Sequence, residues 1–104
     1  MKLFNLYIGV NNMEKIISDL GSTIFSFDGN DFIRTDTTLI TEDGKSAVGT
    51  KLDHNNAGYK ALIQKKSYSG EVTLFGKNYY SNYAPLTDND GKLIGGLNVF
   101  KDIK

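Results

Sequence analysis

The segment EVTLFGKNYYSNYAPLTDNDGKLIGGLNVF, residues 71–100, decides the fold. It contains three runs of aliphatic, aromatic and β-branched residues, which are separated by the polar turns GKN and TDNDGK. Consecutive runs of this kind, joined by short turns rich in Gly, Asn and Asp, are typical of neighbouring antiparallel strands. The segment therefore predicts a three-stranded antiparallel meander.

The first residues of the chain predict a strand followed by a short helix. The strand is KLFNLYIGV, residues 2–10, in which apolar and polar side chains alternate. Asn11 then provides an N-cap, and Gly21 lies where the helix would end. The apolar residues at helical spacing are Met13, Ile16, Ile17 and Leu20.

A hairpin and a second helix lie between this helix and the meander. STIFSF and DFIRTDTTLI, residues 22–27 and 31–40, flank the turn DGND and predict the hairpin. The helix lies within residues 52–70, with Lys65 and Lys66 in its last turn. Its apolar face is formed by Tyr59, Leu62 and Ile63. This order of elements predicts an α+β domain with an antiparallel sheet and helices on one face.

The composition excludes several classes of function. The 104 residues argue for one domain, and 12 basic residues balance 12 acidic ones, so no net field attracts a nucleic acid. The chain has no cysteine, which excludes disulfides, thiolate metal sites and cysteine nucleophiles. Its longest apolar run is far shorter than the roughly 20 residues that cross a bilayer.

No catalytic or metal-binding motif is complete. The turns TEDGKS and TDNDGK resemble the start of a calcium loop, but both lack the acidic residues that an EF-hand requires around its glycine. His54 is the only histidine, and its position near a helix start indicates a structural or solvent-facing role. No nucleophile elbow or oxyanion loop accompanies a serine. We therefore expect no enzyme activity, no metal and no cofactor.

The only arginine, Arg34, is the first candidate binding residue. A two-residue period places it on one strand face with Phe32, Asp36 and Thr38. A lone arginine on a sheet face is usually part of an exposed ion pair, whereas in a concave site it binds a carboxylate through two parallel hydrogen bonds. Both interpretations remain open from the pattern alone.

The tyrosines of the meander are the second candidate set. Tyr79, Ser81, Tyr83 and Pro85 share one face of their strand, and Tyr80 lies on the other. Aromatic residues on a strand are core residues more often than ligand walls. A phenol, however, combines an apolar ring with a polar tip, and several of them near an arginine suit a small polar ligand.

Several motifs in a fixed order resemble those of one family. They are DFIR at residues 31–34, EDGKSAVGT at 42–50, YSGEVTLFG at 68–76, YAPL at 83–86 and DNDGKLIG at 88–95, together with Tyr79. With them, residues 20–100 resemble the Cache sensor domains of bacterial methyl-accepting chemotaxis proteins and related membrane receptors. The closest resemblance is to the single-Cache type called the Cache3–Cache2 fusion. The sequence departs from the family at Tyr80, an additional tyrosine, and at Asn98, where members tend to be apolar.

The resemblance implies a PAS-like fold with a central antiparallel sheet of about five strands. It also implies the periplasmic or extracellular part of an inner-membrane receptor, which binds a small metabolite such as a short carboxylate. Together with the strand pattern around Arg34, the resemblance indicates five ligand-binding residues, namely Arg34, Thr38, Tyr68, Tyr79 and Tyr83. Tyr80, which faces the other way, is expected to serve packing.

The family also has a long N-terminal helix through which its members form dimers. Residues 1–104 lack that helix, so we expect a single sensory domain that is a fragment of a membrane-anchored parent. Whether this fragment forms a homodimer stays open. Two other functions remain open. One is a structural or dimerisation module without a ligand. The other is a cytoplasmic PAS-type domain with haem or flavin, for which the single histidine offers little.

Overall fold

The computed structural model describes residues 20–103, which form five strands and one helix. The elements are β1 (Leu20–Phe27), β2 (Phe32–Thr37), α1 (Ala57–Leu62), β3 (Tyr68–Leu74), β4 (Lys77–Thr87) and β5 (Leu93–Asp102). All pairings are antiparallel, and the strand order across the sheet is β2-β1-β5-β4-β3. The predicted meander is confirmed as β3, β4 and β5, and the predicted hairpin as β1 and β2.

The start of β1 corrects one prediction. The strand KLFNLYIGV and the helix that follows it lie outside the described residues, except for the predicted helix end at Leu20 and Gly21. These two residues begin β1, where they pair with Lys101 and Phe100 of β5. A Cβ atom at Gly21 would lie 2.1 Å from the Phe100 ring, so the glycine makes room for this aromatic ring. Ladder pairing with β5 therefore overrides the local helical spacing.

The two faces of the sheet differ in burial. The inner face carries the core, and α1 packs on it against β3 and β4. Its buried strand residues are Thr23, Phe25, Phe32, Arg34, Val72, Leu74, Tyr79, Ser81, Tyr83, Leu93, Asn98 and Phe100. The outer face carries exposed apolar residues such as Ile24, Leu97 and Val99. Since α1 is the one helix among residues 20–103, the expectation of several helices on one face is supported only by this short element.

A bulge in the hairpin corrects the predicted face of β2. Phe25 pairs with Arg34 and Ile24 pairs with Asp36, so Thr35 has no partner opposite it. This extra residue reverses the alternation, as bulges do. Thr37 consequently turns inward, while Asp36 and Thr38 are exposed. The prediction that Asp36 and Thr38 share the Arg34 face is therefore wrong.

Helix α1 is shorter than its predicted segment. Asn56 caps it, and the Asn56 side chain accepts a hydrogen bond from the Gly58 N–H at 2.6 Å. Tyr59 is buried, as its apolar spacing predicts, but Ile63 lies just past the helix and is exposed. Lys65 follows in a left-handed conformation with φ of 60°, so the lysines are not in a helical turn.

Candidate ligand-binding site

Arg34 is fixed on the inner face of β2 by contacts on several sides. Its side chain is buried, with 3% exposure, and its guanidinium lies 5.5 Å from the Phe25 ring centroid and 5.1 Å from that of Phe75. Its Nη1 donates hydrogen bonds to the Thr50 hydroxyl and to the Lys51 carbonyl, both at 3.1 Å. The guanidinium therefore lies over two aromatic rings, a favourable arrangement for a cation.

One edge of this guanidinium has unused binding capacity. The Arg34 Nε is buried and has no hydrogen-bond partner among residues 20–103. Burial also lowers the pKa of Arg34, although arginine stays protonated in proteins. A buried cation with a free N–H is a costly arrangement that an anion would relieve. A carboxylate is the group that best matches this planar donor edge.

The tip of the β3–β4 hairpin brings Phe75 to Arg34. Phe75 has φ of 50° and Gly76 has φ of 80°, so both residues of the turn are left-handed, as a tight hairpin requires. A Cβ atom at Gly76 would lie 3.3 Å from the Glu42 carboxylate, which places the loop after β2 against the same tip. The hairpin tip therefore covers one side of the arginine.

A row of polar side chains crosses the whole sheet beside Arg34. Its members lie opposite one another on successive strands, in the order Thr37, Thr23, Asn98, Tyr83 and Tyr68. The two ends of the row are satisfied, because the Thr23 and Thr37 hydroxyls are 2.7 Å apart and the Tyr68 hydroxyl donates to the Glu71 carbonyl. The centre of the row is not satisfied, because the Tyr83 hydroxyl and both polar amide atoms of Asn98 are buried and have no hydrogen-bond partner in the described chain.

Tyr83 links this polar row to the arginine. Its ring centroid lies 6.4 Å from that of Phe25, and a Cβ atom at Gly58 would lie only 2.7 Å from its ring, so α1 packs directly on it. Burial raises the pKa of Tyr83 to about 12, while the Arg34 charge and the nearby Asn56 amide oppose this rise. Asn56 does not reach hydrogen-bond geometry with the hydroxyl. Tyr83 therefore stays a neutral phenol with a proton to donate.

A groove of about 480 Å³ opens beside Arg34, between β3 and the start of α1. Charged side chains at this groove are Arg34, Glu42, Lys51, Asp53 and Glu71. Lys51 is already paired, since its Nζ lies 3.4 Å from the Asp31 carboxylate. Tyr83 and Asn98 do not line the groove and lie buried in the sheet. The groove thus combines one buried cation with several carboxylates.

The structure brings together some of the predicted site residues and separates others. Arg34, Tyr83 and Tyr68 lie in one region, and the Tyr68 ring centroid is 6.3 Å from that of Tyr83. Tyr79 lies four residues, about 13 Å, along β4 from Tyr83. It packs edge-on against Phe100 at 4.9 Å, as a core residue does. The prediction of ligand contact itself remains a prediction for each of these residues.

Thr38 and Tyr80 lie elsewhere. Thr38 follows the bulge, is exposed, and accepts a hydrogen bond from the Ser22 N–H at 3.0 Å. Tyr80 was expected to serve packing, but it lies on the outer face with 55% exposure. Tyr80 is exposed because α1 and the loops pack on the Tyr83 face, so the opposite side of β4 faces outward.

Sequence reasoning missed Phe75 as a residue beside Arg34, and Asn98 as a buried polar residue of the sheet. Asn98 lies on the inner side of β5, between the buried Gly96 and Phe100. A polar side chain at an inward position of a predicted strand is a usable signal, because buried polar groups need partners. Phe75 carried no such signal, since its approach to Arg34 depends on how the hairpin curves.

His54 lies in a separate structural cluster. Its Nε2 is 2.6 Å from the Asp31 carboxylate, and its ring stacks on Tyr59 at 4.1 Å. The Tyr59 hydroxyl donates to the Asn30 carbonyl at 2.7 Å. The hydrogen bond from His54 is the main cause that lowers the pKa of Asp31. Residues 20–103 contain no group of side chains that would hold a metal ion.

Comparison with protein families gives one match. The model of the Cache 3/Cache 2 fusion domain matches residues 7–104. The chain belongs to this family. Cache domains are sensor domains, so this Cache domain serves signal transduction, and its five-stranded antiparallel sheet is a Cache-type fold. The comparison with curated proteins gives no match. Within the described part of the Cache domain, no helix is long and apolar enough to cross a membrane.

Proposed function

We propose that this Cache domain is the extracytoplasmic ligand-binding part of a bacterial chemoreceptor or related membrane receptor. Its ligand is a small metabolite with a carboxylate, which binds Arg34. The observation that carries the proposal is the buried guanidinium of Arg34, whose Nε has no partner among the described residues. A ligand carboxylate would satisfy this N–H and neutralise the buried charge. No chemical step is required of the site.

The charges around the groove restrict the ligand further. Glu42, Asp53 and Glu71 line it, whereas the other cation, Lys51, is engaged with Asp31. Several nearby carboxylates disfavour a ligand with more than one negative charge. A monocarboxylate with a neutral remainder therefore suits the site better than a dicarboxylate.

Signalling would follow because one ligand contacts several structural elements at the same time. Arg34 on β2, Phe75 on the β3–β4 hairpin and Asn56 at the start of α1 all border the groove. A bound acid would connect these three elements and favour the arrangement in which they are closest. The ligand changes receptor output only through its different affinity for the two signalling states.

A thermal-shift screen of short mono- and dicarboxylic acids tests this proposal. At a concentration one hundred times its Kd, a ligand stabilises the folded state by about 2.7 kcal/mol. We expect the best acid to raise the Tm of the unmodified chain and not that of Arg34→Ala. Lys60→Ala, which removes an exposed charge on α1, is the matched control and keeps the response. Equal shifts in Arg34→Ala and the unmodified chain would remove Arg34 from the site.

A second candidate function is a structural or dimerisation module without a ligand. It is favoured by the contacts that Arg34 already makes inside the protein, namely two hydrogen bonds and two aromatic rings. The same screen separates the two candidates. If no small acid raises the Tm of the unmodified chain, the structural function is the better explanation.

A further inference from the structure

The free side of β3 is an open edge of the sheet. β3 is the last strand in the order β2-β1-β5-β4-β3, and within residues 20–103 its backbone bonds to no backbone other than that of β4. The opposite edge, at β2, is closed by residues 49–52. There the Arg34 N–H donates to the Thr50 carbonyl at 2.9 Å, and the Arg34 carbonyl accepts from the Gly49 N–H at 2.7 Å. The chain therefore covers one edge of its sheet with its own loop, as proteins commonly do, and leaves the other edge available for pairing.

The register of the β3–β4 hairpin determines which backbone groups lie on this open edge. Leu74 and Lys77 flank the two-residue turn, so they form a hydrogen-bonded pair. Hydrogen-bonded and non-hydrogen-bonded pairs alternate along an antiparallel ladder. Thr73 and Glu71 belong to the non-hydrogen-bonded pairs, and their N–H and C=O groups point away from β4. The Glu71 carbonyl accepts the Tyr68 hydroxyl at 3.1 Å, which agrees with this orientation.

The groove beside Arg34 runs along the same edge. Glu71 and Thr73 line it together with Arg34 and the residues at the start of α1. Its volume of about 480 Å³ lies within the range of about 300–1,000 Å³ that is typical of ligand pockets. The groove therefore brings together a buried guanidinium, whose Nε has no partner in the described part of the chain, and a strand edge with unpaired backbone groups.

We infer that this groove binds a short extended peptide, whose free C-terminal carboxylate lies at Arg34 and whose backbone adds a strand to β3. The inference rests on the proposed function, because it places the ligand carboxylate at Arg34. Arg34 lies beside Phe75 at the hairpin tip, and β3 runs toward that tip, so the peptide runs parallel to β3. One peptide N–H donates to the Thr73 carbonyl, and one peptide carbonyl accepts from the Thr73 N–H. In strand addition such main-chain hydrogen bonds provide the affinity.

The charges of the groove suit a peptide with a single negative end. Glu42, Asp53 and Glu71 line the groove, and they disfavour a second negative charge on the ligand. A peptide backbone is neutral between its ends, and a free amino terminus adds a positive charge that these carboxylates attract. A simple acid would satisfy Arg34 but would leave the edge of β3 to water, whereas a peptide satisfies both.

Calorimetric titration of the full 104-residue chain with matched ligands tests this inference. The probes are propionate, N-acetyl-dialanine, the same compound with an ester in place of its last amide, and its C-terminal carboxamide. Thr73→Pro removes an N–H of the open edge that pairing with β4 does not use. Ser69→Pro is the matched control, because Ser69 lies on the same edge, in a non-hydrogen-bonded pair with Asn82, but does not line the groove.

We expect N-acetyl-dialanine to bind the unmodified chain about tenfold more tightly than propionate. The ester and Thr73→Pro each remove one hydrogen bond, so each should weaken binding of this peptide about 3- to 10-fold, and Ser69→Pro should leave it unchanged. An ester that binds as tightly as the peptide, or a peptide that binds no more tightly than propionate, overturns the inference and leaves the proposed function intact. The same conclusion follows if Thr73→Pro and Ser69→Pro bind the peptide equally.

The remaining outcomes separate the inference from the function on which it rests. A carboxamide that binds as tightly as N-acetyl-dialanine would show that no carboxylate is needed, which contradicts the proposed function and the inference together. The same holds if no probe binds. If light scattering shows that the unmodified chain is a dimer and Thr73→Pro a monomer, a second copy occupies the edge and the inference is overturned. If Thr73→Pro is too unstable to titrate, the comparison of peptide and ester decides.

Discussion

Replacement of Tyr83 by phenylalanine is expected to stabilise the free protein. The Tyr83 hydroxyl is buried and has no hydrogen-bond partner within residues 20–103. Burying a hydroxyl without a partner costs about 1–3 kcal/mol. The substitution leaves the ring, and hence its packing on Gly58 and Phe25, in place.

The expected gain in the free energy of unfolding is about 1 kcal/mol, the lower end of that range. For a domain of this size, 1 kcal/mol corresponds to a rise in Tm of about 4–8 °C. Urea unfolding of Tyr83→Phe and of the unmodified chain measures this difference.

Tyr59→Phe is the matched control, with the opposite sign. The Tyr59 hydroxyl donates to the Asn30 carbonyl at 2.7 Å, so its removal should lower the free energy of unfolding by about 0.5–1.5 kcal/mol. If Tyr83→Phe is destabilised as Tyr59→Phe is, the Tyr83 hydroxyl has a partner in the free protein, and the reasoning about an unsatisfied site is refuted.

Three further predictions concern α1, the contact between His54 and Asp31, and the tip of the β3–β4 hairpin. Gly58→Ala should lower the free energy of unfolding, measured with urea, by about 1–3 kcal/mol. The added Cβ would lie 2.7 Å from the Tyr83 ring, and this clash exceeds the usual gain of alanine in a helix. An unchanged urea midpoint would contradict the close packing of α1 on Tyr83. The pKa of Asp31 is lowered in the folded state, so its stabilising contribution is present above the unfolded pKa of about 3.9 and is lost as pH falls through the folded value. In His54→Gln, urea unfolding between about pH 7 and pH 3 should show a smaller acid-induced loss, and an equal loss would exclude the His54 contact as its cause. Phe75→Leu should weaken acid binding about 2- to 30-fold in calorimetry. It removes a ring whose centroid lies 5.1 Å from the Arg34 guanidinium and which contributes about 0.5–2 kcal/mol to the placement of this cation. Unchanged affinity would mean that Phe25 alone holds the guanidinium.

The sequence predicts the fold where its local and long-range signals agree. In β4 the two-residue alternation runs unbroken from Tyr79 to Tyr83, so the inward residues could be predicted. At Leu20 the signals disagree, because helical spacing is local whereas the pairing of Leu20 with Lys101 joins residues far apart in sequence. A local sequence pattern contains no information on such a contact, so the predicted helix end at Leu20 and Gly21 is wrong.

The candidate site could be predicted only in part. Arg34 and Tyr83 could be singled out as candidates because a lone arginine and an inward phenol are visible as residue types, and their contact with a ligand stays a prediction. Thr38 was misplaced by the bulge at Thr35, a position without the glycine that often marks such an irregularity. The sequence could not predict that the Asn98 amide is buried without a hydrogen-bond partner among residues 20–103, because only three-dimensional coordinates show this.

The most direct test of the account is the NMR signal of the Arg34 Nε–H during titration with the best acid of the screen. Because Arg34 is the only arginine of the chain, this side-chain resonance is single and needs no separate assignment. The account predicts that the signal shifts as the acid saturates the domain and that its exchange with water slows, since a carboxylate then accepts this hydrogen bond. An acid that binds and stabilises the domain while the Arg34 signal stays unchanged would contradict the central claim.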